Sequence, residues 1–198
     1  MQYVIGGELN THLLSERKFP EHRAKFYAMQ VALALGHLHK NNIIYRDLKP
    51  ENILMDRDGY IKLADFGLSK YLDCAEQTKT YCGTPQYMSP EIIDRRGHNL
   101  EVDWWALGIL AYEMMVGFTP FSIKGNLEEQ HYAIKKRQVV FPEVHHKIEI
   151  SSEGRDFIQK CLIKDPVKRL GSKADVNEIL SHPWFDSLSK DKMMKKKY

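Results

Sequence analysis

Asp47, Asn52 and Asp65 carry oxygen ligands, and Lys49 stands between the first two. Ile53 to Met55 and Tyr60 to Ala64 read as two short strands around the turn Asp56-Arg57-Asp58-Gly59. Loops that flank one hairpin lie side by side, so the three oxygen donors meet although the chain separates them. Magnesium takes hard oxygen ligands and few of them from protein, leaving the rest to water and phosphate. Asn52 and Asp65 suit that task. Asp47 is then free to orient an attacking hydroxyl and accept its proton, while Lys49 offers positive charge to a phosphate in transfer. Taken singly, loop Asp and Asn residues are turn formers; the combination is what argues for chemistry. The hairpin turn resembles the start of a calcium loop, but its Gly comes fourth instead of sixth and no Glu closes it.

Helices must hold these loops. Pro20 to about Lys40 has helical spacing, with Phe26, Val31, Leu35 and Leu38 on one face, and Asn41-Asn42 ends it. Further helices are expected near 101–117, 126–137, 151–163 and 174–181, with Pro120, Pro142, Pro166 and Pro183 between or beyond them. The stretch from Trp104 to Phe118 is the most apolar; it is too short to span a bilayer and contains Glu113, so it belongs in a domain interior. Residues 1–5 read as extended, ended by Gly6-Gly7. Residues 65–100 show no lasting periodicity and form a long loop, which in a compact domain is usually functional. The fold class is therefore mainly α with one small β-hairpin.

Composition narrows the functions. The 198 residues are 43% hydrophobic with a formal net charge of +3, which suits a globular domain. The excess lysines crowd into Lys190, Lys192 and Lys195 to Lys197, a run read as a solvated, frayed tail and not as a nucleic-acid or membrane anchor. Cys74, Cys82 and Cys161 match no zinc spacing and read as free thiols in a reducing, cytoplasmic setting. No basic segment followed by an apolar core supports a signal peptide. The pairs His37/His39 and His145-His146 lack partners at metal spacing and are expected to have surface or packing roles.

The order Tyr45-Arg46-Asp47-Leu48-Lys49-Pro50-Glu51-Asn52, Asp65-Phe66-Gly67, Ser89-Pro90-Glu91 is the signature set of protein kinases. The chain resembles the eukaryotic serine/threonine kinases of the AGC group over nearly its whole length. Tyr45 in place of the usual His, the Lys49-Pro50-Glu51 form of the loop, Tyr81-Cys82-Gly83-Thr84-Pro85, Asp103 to Gly108 and Asp165 to Gly171 carry that narrower likeness.

The resemblance implies ATP and Mg2+ as cofactors, with Asp47, Lys49 and Thr84 catalytic and Asn52 and Asp65 on the metal. It implies that Gln2 and Val4, in a hinge-like segment, hold adenine through their backbone, that Leu54 floors the adenine pocket and that Glu8 touches ribose. Glu8, Glu51 and Glu113 would receive basic residues of a protein substrate ahead of its Ser or Thr. Thr80 matches an activation-loop phosphorylation site, set by an upstream kinase, whose phosphate would pair with Arg46. Glu91 and Arg169 match a buried ion pair, and Asp103 matches the residue that holds the catalytic-loop backbone.

Some features depart from the pattern. Ser89 replaces the usual Ala, and Gln86 stands where Glu is common. The glycine-rich loop and the strand lysine of a working kinase are not among these residues. The chain is thus expected to comprise hinge and large lobe over 1–185, with the small lobe absent and a basic tail over 186–198. Two readings stand: part of an active kinase, or a non-catalytic module that binds peptides or other kinases. Intact Asp47, Lys49, Asn52 and Asp65 favour the first.

Overall fold

A computed structural model describes residues 4–73, 77–142 and 149–198. Gln2, Cys74, His145 and His146 lie outside the described residues.

Helix α1 (Leu9–Glu16) buries Leu9 and Leu13, and α2 (Glu21–Lys40) follows after Pro20, whose extended backbone caps it. Val31 and Leu35 on α2 are fully buried, while Phe26 and Leu38 pack against the core partly exposed. Helix α4 (Glu101–Val116) buries every residue except Glu101 and Glu113, as a helix apolar on all sides must. It stops at Gly117, whose left-handed φ of 93° brings its amide to the Glu113 carbonyl, 2.7 Å away. Helices α2 and α6 (Ser152–Cys161) pack on α4, α7 (Asp175–Leu180) packs on α2, and α5 (Leu127–Lys136) adds Ala133 and Ile134 to the core. Asn126 and Ser151 cap α5 and α6 by accepting from the amides of Glu129 and Gly154. One core holds Trp104, Trp105, Tyr112, Phe157 and Trp184, all nearly or wholly sealed from solvent.

The expected hairpin is present as β2 (Ile53–Met55) and β3 (Ile61–Leu63), paired antiparallel with Ile53 opposite Leu63 and Met55 opposite Ile61. Its turn is built on Asp56, whose carboxylate accepts from the amides of Asp58 and Tyr60 at 3.0 and 2.9 Å. A second two-stranded sheet was not expected: β1 (Ile43–Ile44) pairs with β4 (Lys70–Tyr71). Strands this short carry too few residues to show a period of two. The expected loop over 65–100 therefore contains β4, a Thr78–His98 bridge and the short helix α3 (Pro90–Ile93).

The end of the chain also differs from a frayed tail. Helix α8 (Lys190–Met194) buries Met193, and Tyr198 packs edge-on against Phe26 while its backbone exchanges hydrogen bonds with the Tyr60 hydroxyl. Lys196 pairs with Asp56 in the hairpin turn. The lysine-rich composition hid an amphipathic turn whose one apolar face, through Met193, closes on the core. Among the described residues the fold is mostly helical with two small two-stranded sheets.

Candidate active site

The expected catalytic loop, between β1 and β2, hangs on Asp103 of α4. One Asp103 oxygen accepts the Tyr45 amide at 2.8 Å, the other the Arg46 amide at 2.9 Å. This lets Arg46 hold a left-handed φ of 67°, which would otherwise cost a non-glycine residue about 1–2 kcal/mol. Beyond that bend the buried Asp47 carboxylate receives three side chains. Lys49 Nζ lies 2.9 Å from Oδ2, Asn52 Nδ2 lies 2.8 Å from the same oxygen, and Thr84 Oγ1 donates to Oδ1 at 3.1 Å. The expected trio of Asp47, Lys49 and Thr84 is thus one cluster, joined by a donor from the far side of the activation segment.

Asn52 also donates from Nδ2 to the Asp47 backbone carbonyl at 2.9 Å. With both amide hydrogens turned to Asp47, its carbonyl oxygen faces the opposite side. Asp65 follows β3 in a left-handed conformation, φ 52°, with its side chain turned back so that one oxygen accepts the Gly67 amide at 3.0 Å. The remaining oxygens of an exposed Asp65 and of Asn52 form a small, hard donor set that fits magnesium, which asks little of protein. Among the described residues no group of three or more His, Cys, Asp or Glu is poised for a metal.

Tyr45 stitches the two loops together. Its hydroxyl donates to the Ala64 carbonyl, its ring meets Phe66 edge-on at 5.5 Å, and burial together with the charges of Asp47 and Asp65 pushes its ionisation far up. It stays a neutral donor at any working pH. Arg46 reaches the same loop, donating from Nε to the Leu68 carbonyl at 2.7 Å.

The hinge-like segment is pinned to the hairpin. Gly6 donates to the Met55 carbonyl, Met55 donates to that of Gly7, and Glu8 bridges to Leu54. Gly6, Gly7 and Glu8 therefore lie along β2, whose Leu54 is half-buried and opposite the exposed Glu8; Val4 is half-buried two residues before Gly6, and Gln2 is outside the described residues. Glu51 is exposed in the short 3-10 turn Pro50–Asn52. Glu113 accepts the Tyr87 hydroxyl and is half-buried; burial raises its pKa, Tyr87 opposes that, and the charge of Glu51 raises it again. Glu51 and Glu113 thus share one acidic patch.

Thr80 is exposed, its hydroxyl 3.2 Å from that of Thr78 and not on Arg46, whose buried Nη1 has no hydrogen-bond partner. Gly83 takes φ 110° and passes so close to the Arg46 carbonyl that a Cβ would sit 3.0 Å from it. The segment then closes on the fully buried Arg169, which grips Glu91 with two bonds of 2.6 and 2.9 Å and reaches the carbonyls of Ile163 and Glu101. The guanidinium holds the Glu91 carboxyl below its usual range despite burial.

Sequence reasoning missed His39. Set aside as a packing residue, it is buried with Nε2 2.9 Å from Asp103 and Nδ1 2.8 Å from Asp175. Its place on the buried face of α2, two turns from Val31, was the available signal. No described helix is long and apolar enough to cross a membrane.

Comparison with known proteins agrees with this geometry. The family described as "Protein kinase domain" matches residues 1–185. The chain is 47% identical over 197 residues to the serine/threonine-protein kinase sck1 of Schizosaccharomyces pombe, covering 98% of this chain and 28% of that protein. It is 43% identical over 198 residues to the human serine/threonine-protein kinase Sgk1, covering all of this chain and 44% of Sgk1. To the cAMP-dependent protein kinase type 3 of Saccharomyces cerevisiae it is 42% identical, covering 98% of this chain and 47% of the relative. The chain thus spans less than half the length of these relatives. It belongs to the protein kinase family, within the AGC group of serine/threonine kinases.

Proposed function

We propose that the protein is a serine/threonine kinase that transfers the γ-phosphate of ATP to Ser or Thr of protein substrates carrying basic residues ahead of the acceptor. The carrying observation is the Asp47 carboxylate, buried yet met by Lys49, Asn52 and Thr84. That arrangement fixes one carboxylate orientation while leaving an acceptor for a substrate hydroxyl. Lys49, tied to Asp47, stands ready to shift toward phosphate as negative charge moves there. Asn52 and Asp65 would hold Mg2+, which when bound neutralises phosphate charge. The acidic patch of Glu51 and Glu113, with Glu8 nearby on the hinge-like segment, supports a basic peptide. Val4 and Leu54, the latter on β2, would border adenine. Thr80 would be the regulatory site, its phosphate drawn to the unpartnered Nη1 of Arg46.

The test is phosphorylation of a basic Ser/Thr peptide by the gene's full-length product, with Asp47→Ala beside it. A loss of roughly 10²–10⁴-fold in kcat with similar KM for ATP is expected for removal of the base. Equal activity in the variant would sink the assignment.

A further inference from the structure

His39 lies between two carboxylates, and the hydrogen-bond inventory fixes its state. An ionised carboxylate only accepts, so both ring nitrogens must carry hydrogen to make the bonds of 2.9 Å to Asp103 and 2.8 Å to Asp175. The ring is therefore an imidazolium whose side chain is wholly buried. Burial alone would strip its proton. The two carboxylates overcome that, and its pKa rises to about 9. The charged groups facing it are Asp103 from α4 and Asp175 from α7; the indole of Trp104, edge-on at 4.8 Å, is neutral and donates to the same Asp175 oxygen at 3.0 Å. Asp175 takes a left-handed φ of 49° to be there, a conformation that Asp and Asn tolerate better than other side chains.

We infer that Asp175 is a positioning residue for the catalytic loop: it anchors His39, and His39 in turn anchors the Asp103 carboxylate that carries the Tyr45 and Arg46 amides. Asp103 is fully buried and accepts three bonds. Without a cation beside it, it would be a lone buried anion, and the loop would lose its frame. Asp175 is the second anion that keeps the histidine charged, so the start of α7 is wired to the bend before Asp47. The kinetic part of this inference rests on the kinase reading; the clamp itself does not.

Asp175→Asn removes the charge while keeping the shape, the tolerance for a left-handed backbone and an acceptor for Trp104. In the full-length protein, amide exchange of residues 43–48 and the pH dependence of kcat and KM are measured between pH 6 and 9. At pH 8 exchange should be about tenfold faster, and kcat about tenfold lower, than in the unaltered protein, the scale of one charge-assisted hydrogen bond. At pH 6, where His39 stays protonated without Asp175, both should return to within about twofold, with KM unchanged throughout. Asp175→Glu should recover part of the loss at pH 8. Asp175→Gly, free of backbone strain, should behave as Asn does; a Gly variant with native exchange and kcat at pH 8 refutes the clamp. So does a kcat deficit of equal size at every pH, or a change in KM alone. If the exchange responds as stated but the unaltered protein transfers no phosphate, the kinase reading fails and the clamp stands; normal transfer with unresponsive exchange fails the clamp alone.

Discussion

The loop between β1 and β2, proposed to be catalytic, and the segment over 77–89 meet at Arg46 and are held by different means. In the loop, Tyr45, Asp47, Leu48 and Asn52 are buried, and the polar ones among them are matched to named partners on α4, β3 or each other. Across from it, Thr80 and Tyr81 face solvent, Arg46 Nη1 is buried without a partner, and the buried His98 ring makes no well-formed hydrogen bond. Buried polar groups are nearly always paired. The loop's polar groups are satisfied by its own neighbours, whereas the stretch around Thr80 leaves buried nitrogens of Arg46 and His98 unmatched. The two histidines make the same contrast. His39 is charged and doubly bonded, whereas burial drives the His98 pKa down, with the Arg46 charge adding to it and nearby Arg96 carbonyl, Glu91 and Asp103 opposing.

Substitutions can break this contrast. The largest effect is expected at the far end of that segment, where the pairing is complete: Glu91→Gln leaves Arg169 buried without its anion and should cost roughly 3–5 kcal/mol in denaturant-induced unfolding. Removing the cation of the loop side, His39→Phe, strands Asp103 and should cost a similar amount by the same measurement.

The pH dependence comes next. The folded pKa of His39, about 9, lies above the ordinary value. Its stabilisation is then full below about pH 6.5 and is lost as pH rises through 9, amounting to up to roughly 3 kcal/mol. Thermal unfolding of the unaltered protein should show that loss and His39→Phe should not. His98 works in the opposite sense: held neutral when buried, it opposes folding as pH falls below its ordinary pKa.

A smaller effect is expected from phosphate on Thr80. One to three new charge-assisted bonds at roughly 1.5–3 kcal/mol each should slow proteolysis within residues 77–89 at least tenfold relative to Thr80→Val. Equal cleavage of the two forms would rule out ordering of the segment by phosphate on Thr80. The smallest is His98→Phe. Exchanging a poorly bonded buried ring for an apolar one should alter stability by less than about 1 kcal/mol, in either direction.

Much of this was legible beforehand, for reasons that particular residues show. Asp47, Lys49, Asn52 and Thr84 lie in short motifs, and motif spacing survives translation into space because β2 and β3 are joined by one tight turn. The long helices announced themselves by period and by proline. What stayed hidden depends on pairing between distant segments. The β1–β4 sheet has two residues a side, Leu9 and Leu13 of α1 offer too short a stripe, and Met193 sits among lysines. His39 and His98 look alike in sequence; the carboxylates of Asp103 and Asp175, bonded to one and not to the other, separate them.

The Glu91–Arg169 bond also sets an order of assembly. Its partners are 78 residues apart in the chain, and a contact of such reach forms only after the intervening helices have closed the loop between them. On the ribosome, Glu91 emerges long before its counter-ion. The nascent activation segment must then stay in water or in the care of a chaperone until Arg169 follows, seconds later at ordinary rates of synthesis. Variants that slow the packing of α6 should therefore appear first as low yield of soluble protein, before any change in the finished enzyme.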